Sequence, residues 1–200
     1  MLISFEGGEG SGKSTHVKML AEYFKKQGKK VVVTREPGGT KTAEKIRDIL
    51  LSCPDLSATE QCFLNFAARA HHVENLIKPA LKKGAIVISD RFFDSTYVYQ
   101  GAAQGMAVKT IKAIHKAAIG TFKPDLTIIL DIDPKAGMAR TKKRGGENHY
   151  DKQKLAFHQK VRAGFLSIAA KNKKRCVVIN ADQTQSKVAK DIIKAVIQSS

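Results

Sequence analysis

Short runs of aliphatic residues recur along the chain, each followed by a stretch whose apolar positions fall three and four residues apart. Leu2 to Phe5, Val31 to Val33, Ala85 to Ser89, Leu126 to Leu130 and Cys176 to Ile179 read as strands. Helical spacing runs from Ser14 to Gln27, from Thr40 to Leu51, from Val108 to Ile119 and from Pro134 to Lys143, then from Lys154 to Ala170 and from Gln185 to Ile197. Gly28 and Gly120 stop two of these helices, and Pro54 breaks a third. Ser57 followed by Glu60 is a capping-box signature opening a helix to about Lys83, which Pro79 should end or kink. Strands that are apolar throughout belong in a parallel sheet covered on both faces. The pattern therefore predicts a doubly wound, three-layer α/β fold: a parallel sheet of about five strands, with helices on both faces.

Composition narrows the class. The 200 residues are 42% hydrophobic and suit one domain, residues 1–200, with a short lid. No apolar run approaches the roughly 20 residues that span a bilayer. The N-terminus reads as a first strand and not as an export signal, so a cytoplasmic setting is expected. Cys53, Cys62 and Cys176 match no metal spacing and are expected as reduced thiols. The net charge of +17 would attract polyanions. However, the lysines are spread along the chain in pairs such as Lys25-Lys26 and Lys82-Lys83, several near helix ends. A solvated basic surface is expected, without dedicated nucleic-acid binding.

Gly7-Gly8-Glu9-Gly10-Ser11-Gly12-Lys13-Ser14 carries the sharpest chemistry. It satisfies G-x-x-x-x-G-K-[ST] and stands between a strand and a helix, the setting of a phosphate loop. Glycines let backbone N–H groups wrap a phosphate, and the helix N-terminus favours the anion. Lys13 is placed to reach the β- and γ-phosphates of ATP, and the Ser14 hydroxyl to ligate Mg²⁺. The fold is expected to be that of P-loop nucleotide-binding proteins.

The remaining strand ends bear on the reaction. Asp90-Arg91 closes the third strand, at the sheet edge where ligands bind. Asp90 can hold Mg²⁺ or accept a proton, and Arg91 can fork onto a phosphate. Asp131 and Asp133 end another strand and are the alternative carboxylates; they read rather as strand-end and helix-cap residues. Arg35 opens Arg35-Glu36-Pro37-Gly38-Gly39-Thr40 after the second strand and is placed to meet a phosphate. A GTPase would carry Asn-Lys-x-Asp after a late strand; here Asn180-Ala181-Asp182 follows instead.

Glu6-Gly7-x-Glu9-Gly-x-Gly-Lys-Ser-Thr15, the Thr34-to-Thr40 segment, Phe66-Ala67-Ala68-Arg69 and Asp90-Arg91-Phe92-x-x-Ser95-Thr96-x-x-Tyr99-Gln100-Gly101 together resemble bacterial thymidylate kinase. The resemblance implies a homodimer that moves the γ-phosphoryl of Mg·ATP onto dTMP. Phe66 would stack on thymine, Arg69 would donate to a thymine carbonyl, and Thr96 would bond the base edge. Tyr99 would crowd the sugar 2′ position, Arg35 and Arg91 would hold the monophosphate, and Gln100 would lie near the nucleotide. Glu9 would position the sugar or Mg²⁺. A lid over residues 140–152 would supply the transition-state cation, Arg140 or Arg144. Lys13, Arg91 and Glu9 complete the expected catalytic set. The chain departs from the pattern at Asn148-His149-Tyr150-Asp151, where relatives carry Asp-Arg-hydrophobic-Glu. His149 in place of arginine predicts a pH-sensitive lid.

Overall fold

The computed structural model describes residues 1–145, 150 and 153–199. Strands β1 (Leu2–Glu6), β2 (Val31–Arg35), β3 (Ile86–Asp90), β4 (Leu126–Asp131) and β5 (Cys176–Asn180) form one parallel sheet in the order β2-β3-β1-β4-β5. The central strands β1 and β4 are buried almost throughout, as their unbroken aliphatic runs require. Each fully buried side chain such as Phe5 or Ile88 contributes about 1.5–3 kcal/mol of transfer free energy. The edge strand β2 departs from the expectation of burial on both faces: Val33 is 47% exposed.

Helices α1 (Lys13–Lys26), α2 (Lys41–Ser52), α3 (Ala58–His72), α4 (Lys78–Lys82) and α5 (Phe93–Thr96) precede β4. Helix α6 (Val108–Ile119) completes that half; α7 (Pro134–Arg144), α8 (Leu155–Lys171) and α9 (Gln185–Ser199) follow β4. The capping box at Ser57 and Glu60 is formed in both directions. The helix it opens does continue to Lys82, through a wide turn at Val73–Ile77 that lets Pro79 fall in the first turn of α4, where its missing N–H costs little. A second wide turn, Tyr97–Ala103, extends α5 over a stretch that lacks helical periodicity.

Chain order reverses at β1, whose neighbours β3 and β4 lie on opposite sides. The crevice above this switch point is where a doubly wound sheet binds ligands. Glu6, Arg35, Asp90 and Asp131 all end strands at this edge. The loop after β1 is wedged against α7, backbone to backbone. A Cβ on Gly10 would lie 2.1 Å from the Gly137 carbonyl oxygen, and one on Gly137 would lie 2.4 Å from that of Glu9. This approach accounts for a glycine inside a helix, where it is otherwise unfavourable. Gly137→Ala is therefore expected to lose about 1–3 kcal/mol of stability through overpacking, measured by denaturant unfolding.

Candidate active site

Two clefts meet on the loop between β1 and α1. The first, of about 400 Å³, runs from Lys13 and Ser14 past Asp90 and Arg91 to Tyr99 and Gln100. The second, of about 370 Å³, lies between the start of α1 and the chain after β5, lined by Thr15, His16, Arg140, Gln183 and Thr184. Gly10, Gly12 and Thr15 line both.

Lys13 is buried, and its Nζ donates to the carbonyls of Gly7 (3.1 Å) and Gly8 (2.8 Å). Burial, aided by the Arg91 charge, lowers its pKa to about 8 against the pull of Glu9 and Asp90. Ser14 Oγ donates to Asp90 Oδ2 at 2.7 Å. This hydroxyl–carboxylate pair is a donor set that suits Mg²⁺, a hard cation held by one or two carboxylates and by substrate phosphates. Asp131 is occupied otherwise, gripped by Arg162 at 2.7 and 2.8 Å, and Asp133 caps α7 by accepting from the Lys135 N–H at 2.9 Å. Among the described residues no cluster of three or more His, Cys, Asp or Glu side chains could hold a metal.

Among the described residues, Arg91 is the non-glycine residue with a left-handed backbone, φ 72°. That strained conformation is held by Arg91 N–H donating to Phe5 O at 2.9 Å and Ser89 Oγ donating to Arg91 O at 2.7 Å. It turns the guanidinium over the loop, where it donates to Gly7 O (3.1 Å), Ser95 Oγ (3.2 Å) and Glu9 Oε1 (2.8 Å). Tyr99 also donates to Glu9 Oε1, at 2.8 Å. Burial alone would raise the Glu9 pKa, but Arg91, Lys13 and the Tyr99 hydroxyl bring it down to about 2. Glu6 is the opposite case: burial first, then the Asp94 charge, push it up to about 7, although it accepts from Phe92 N–H and from Ser95.

Most residues singled out in the sequence converge here. Arg35 lines the first cleft while pairing with Glu44 at 2.8 Å; Thr96, Tyr99 and Gln100 line it too. Phe66 is placed differently. It packs in the core against His115 (ring centroids 5.3 Å apart), with the Arg69 guanidinium 4.7 Å above it, and the residue of α3 that faces the cleft is Asn65. Arg69 is 2% exposed and stands behind Glu36 and Thr96, which do line the cleft. Arg140 lines the second cleft, where it donates to Ala181 O and Asp182 at 3.1 Å, so it lies away from the cleft that holds Arg91. The Arg144 side chain and residues 146–149 and 151–152, with His149, lie outside the described residues.

Sequence reading overlooked Glu36, Asn65, Arg47 and Tyr150, all on the wall of the first cleft. A signal was available on α3, where Gln61, Asn65 and Arg69 recur every four residues as buried polar side chains.

Because Glu6 has a higher pKa folded than unfolded, the folded chain retains a proton that the unfolded chain releases. Its contribution to stability is full below about 4.5, declines as pH rises to about 7, and is flat beyond; Glu9 acts with opposite sign and only below 4.5. Between pH 5 and pH 8 the native chain should therefore lose on the order of 2 kcal/mol more stability than Glu6→Gln, read by unfolding both proteins at both pH values.

Comparison with known proteins agrees with this geometry. A family model described as thymidylate kinase matches residues 5–192. The thymidylate kinase of Maridesulfovibrio salexigens is 43% identical, the alignment covering 99% of this chain and 95% of that one. That of Caulobacter vibrioides is 44% identical over 98% of this chain and 95% of its own. The crystal structure of thymidylate kinase from Ehrlichia chaffeensis superposes with a TM-score of 0.81 at 36% identity, covering 98% of this chain and 97% of that one. With the phosphate loop, the strained arginine and the paired clefts in place, this chain belongs to the thymidylate kinase family.

Proposed function

We propose that the chain phosphorylates dTMP to dTDP with ATP, a step in making the deoxynucleotide dTTP. The observation that carries this reading is the meeting of two nucleotide-sized clefts on one phosphate loop. Such an arrangement brings a donor and an acceptor phosphate together and spares the entropy of their encounter. ATP occupies the second cleft, its base side near Arg140 and Gln183 and its phosphates wrapped by Gly7, Gly8, Glu9, Gly10, Ser11 and Gly12 of the loop and held by Lys13. The monophosphate lies in the first cleft, its phosphate toward Arg91, Arg35 and Arg47.

Ser14 and Asp90 would hold Mg²⁺, which neutralises charge on the phosphates when bound. The protein's own part is positioning and electrostatics. Arg91 and Lys13 place fixed positive charge at the point of transfer, where it needs no reorganisation. Glu9 keeps its charge at any working pH, so it holds Arg91 and Tyr99 in place and remains an acceptor for a sugar hydroxyl. Tyr99, anchored in this way, stands beside the sugar and selects the deoxy form. Arg144 and the other basic residues of segment 140–152 serve as a lid. Arg140 supports the nucleoside end of ATP instead of the transferred phosphoryl.

The protein works in the cytoplasm as a homodimer. Support for the dimer comes from exposed Ile49 (45%), Phe63 (56%) and Val108 (52%), carried by α2, α3 and α6, which pack side by side. No helix among the described residues is long and apolar enough to cross a membrane.

The test is ADP release with Mg·ATP and dTMP, dUMP, UMP, dCMP or AMP. Turnover is expected to be fastest with dTMP and far slower with UMP and dCMP. Arg91→Ala is expected to lower kcat about 10²–10³-fold, the range for removing one preorganised donor. Equal turnover with UMP would contradict the sugar selection given to Tyr99. Sedimentation should show a dimer that Phe63→Asp converts to monomer; an unchanged mass for that variant would place the interface elsewhere.

A further inference from the structure

Behind the first cleft lies a chain of buried polar contacts that phosphate chemistry does not use. Glu36, on the turn after β2, is 3% exposed. Arg69 Nε donates to its Oε2 at 2.5 Å, and His72 Nδ1 contacts its Oε1 at 2.9 Å. His72 is fully buried, and its Nε2 meets Thr34 Oγ1 at 2.7 Å. A carboxylate facing a guanidinium accepts at both oxygens, so the histidine proton belongs on Nδ1 and Thr34 donates to Nε2. Beyond Glu36, Arg69 Nη1 donates to Thr96 Oγ1 at 3.2 Å and Nη2 to the Phe92 carbonyl at 3.3 Å. Three of the five guanidinium N–H groups are thereby fixed, and one on each terminal nitrogen remains.

A stability role alone does not call for this assembly, because a buried ion pair is often no better than an apolar replacement. The chain also shapes the turn beside it. A Cβ on Gly39 would lie 2.4 Å from both His72 Nε2 and Thr34 Oγ1, so the turn carries glycine where the two side chains must meet. Both ends of the Glu36–Arg69–Thr96 section reach the cleft wall through Glu36 and Thr96.

We propose that Thr34, His72 and Glu36 are positioning residues that fix the Arg69 guanidinium, and with it Thr96, for recognition of a pyrimidine carrying a carbonyl at C4. Arg69 stands behind the wall and acts through Thr96: by donating to Oγ1 it leaves the hydroxyl proton to turn into the cleft, where it suits that carbonyl better than the amino group that cytosine has there. This rests on the acceptor reading given above.

The experiment compares kcat and KM for dTMP and dCMP, at saturating Mg·ATP, in Thr34→Val, His72→Leu, His72→Asn and Arg69→Gln. Thr34→Val keeps its shape and should fold. Thr34→Val and His72→Leu are expected to raise KM for dTMP about 3–10-fold with a smaller change in kcat, and to narrow dTMP-over-dCMP discrimination by a similar factor. His72→Asn keeps a donor toward Glu36 and should recover much of the loss. If Thr34→Val and His72→Leu lower only the melting temperature while Arg69→Gln narrows discrimination, the base reading stands and the positioning chain is overturned. If Arg69→Gln also leaves KM and discrimination unmoved, the base reading falls and the chain with it.

Discussion

The Arg91 guanidinium is the contact on which the rest of the site depends. It leaves the end of β3 through a left-handed backbone, φ 72°, and spans Gly7 O, Ser95 and Glu9. Without that guanidinium the Gly7 carbonyl, Glu9 and the Tyr99 ring would each lose a partner. Strain of about 1–3 kcal/mol persists only where surrounding contacts over-determine it. Here the bonds to Phe5 and Ser89 and the ring of Tyr99, 5.0 Å from the guanidinium carbon, do so.

Around this cation the burial of charge is arranged by position. Glu9 stays ionised because Arg91 and Lys13 face it, while Glu6, only three residues earlier, is pushed up by burial and Asp94. Lys13 lies in the same buried region with its pKa lowered to about 8 by desolvation and the Arg91 charge, so phosphate oxygens brought to it favour its charged form. The site is thus built to receive anions at one place, where the two clefts touch.

How much of this is legible in the sequence varies with the range of the interactions. The phosphate loop is legible because glycine, lysine and serine chemistry acts within one strand–loop–helix unit. Asp90-Arg91 is legible because an aliphatic run marks the strand whose end they form. The face of α3 is not, because packing against α6 sets its phase, and Phe66 turns to the core while its neighbour Asn65 takes the cleft. The Thr34–His72–Glu36–Arg69 chain joins residues 33 to 38 positions apart and leaves no local signature. The segment Phe93–Ala103 is rich in aromatic and small residues, and its wide turn lacks the 3.6-residue period by which a helix is recognised.

The central claim is that one phosphate loop serves both clefts at once. Titrating the protein calorimetrically with a dinucleoside polyphosphate that joins adenosine to thymidine tests it most directly. The account predicts one molecule bound per chain, at least ~10²-fold tighter than ATP or dTMP alone, since the second end binds at high effective concentration. Binding no tighter than ATP, or two molecules per chain, would show that the clefts do not share the loop and would contradict direct transfer between them.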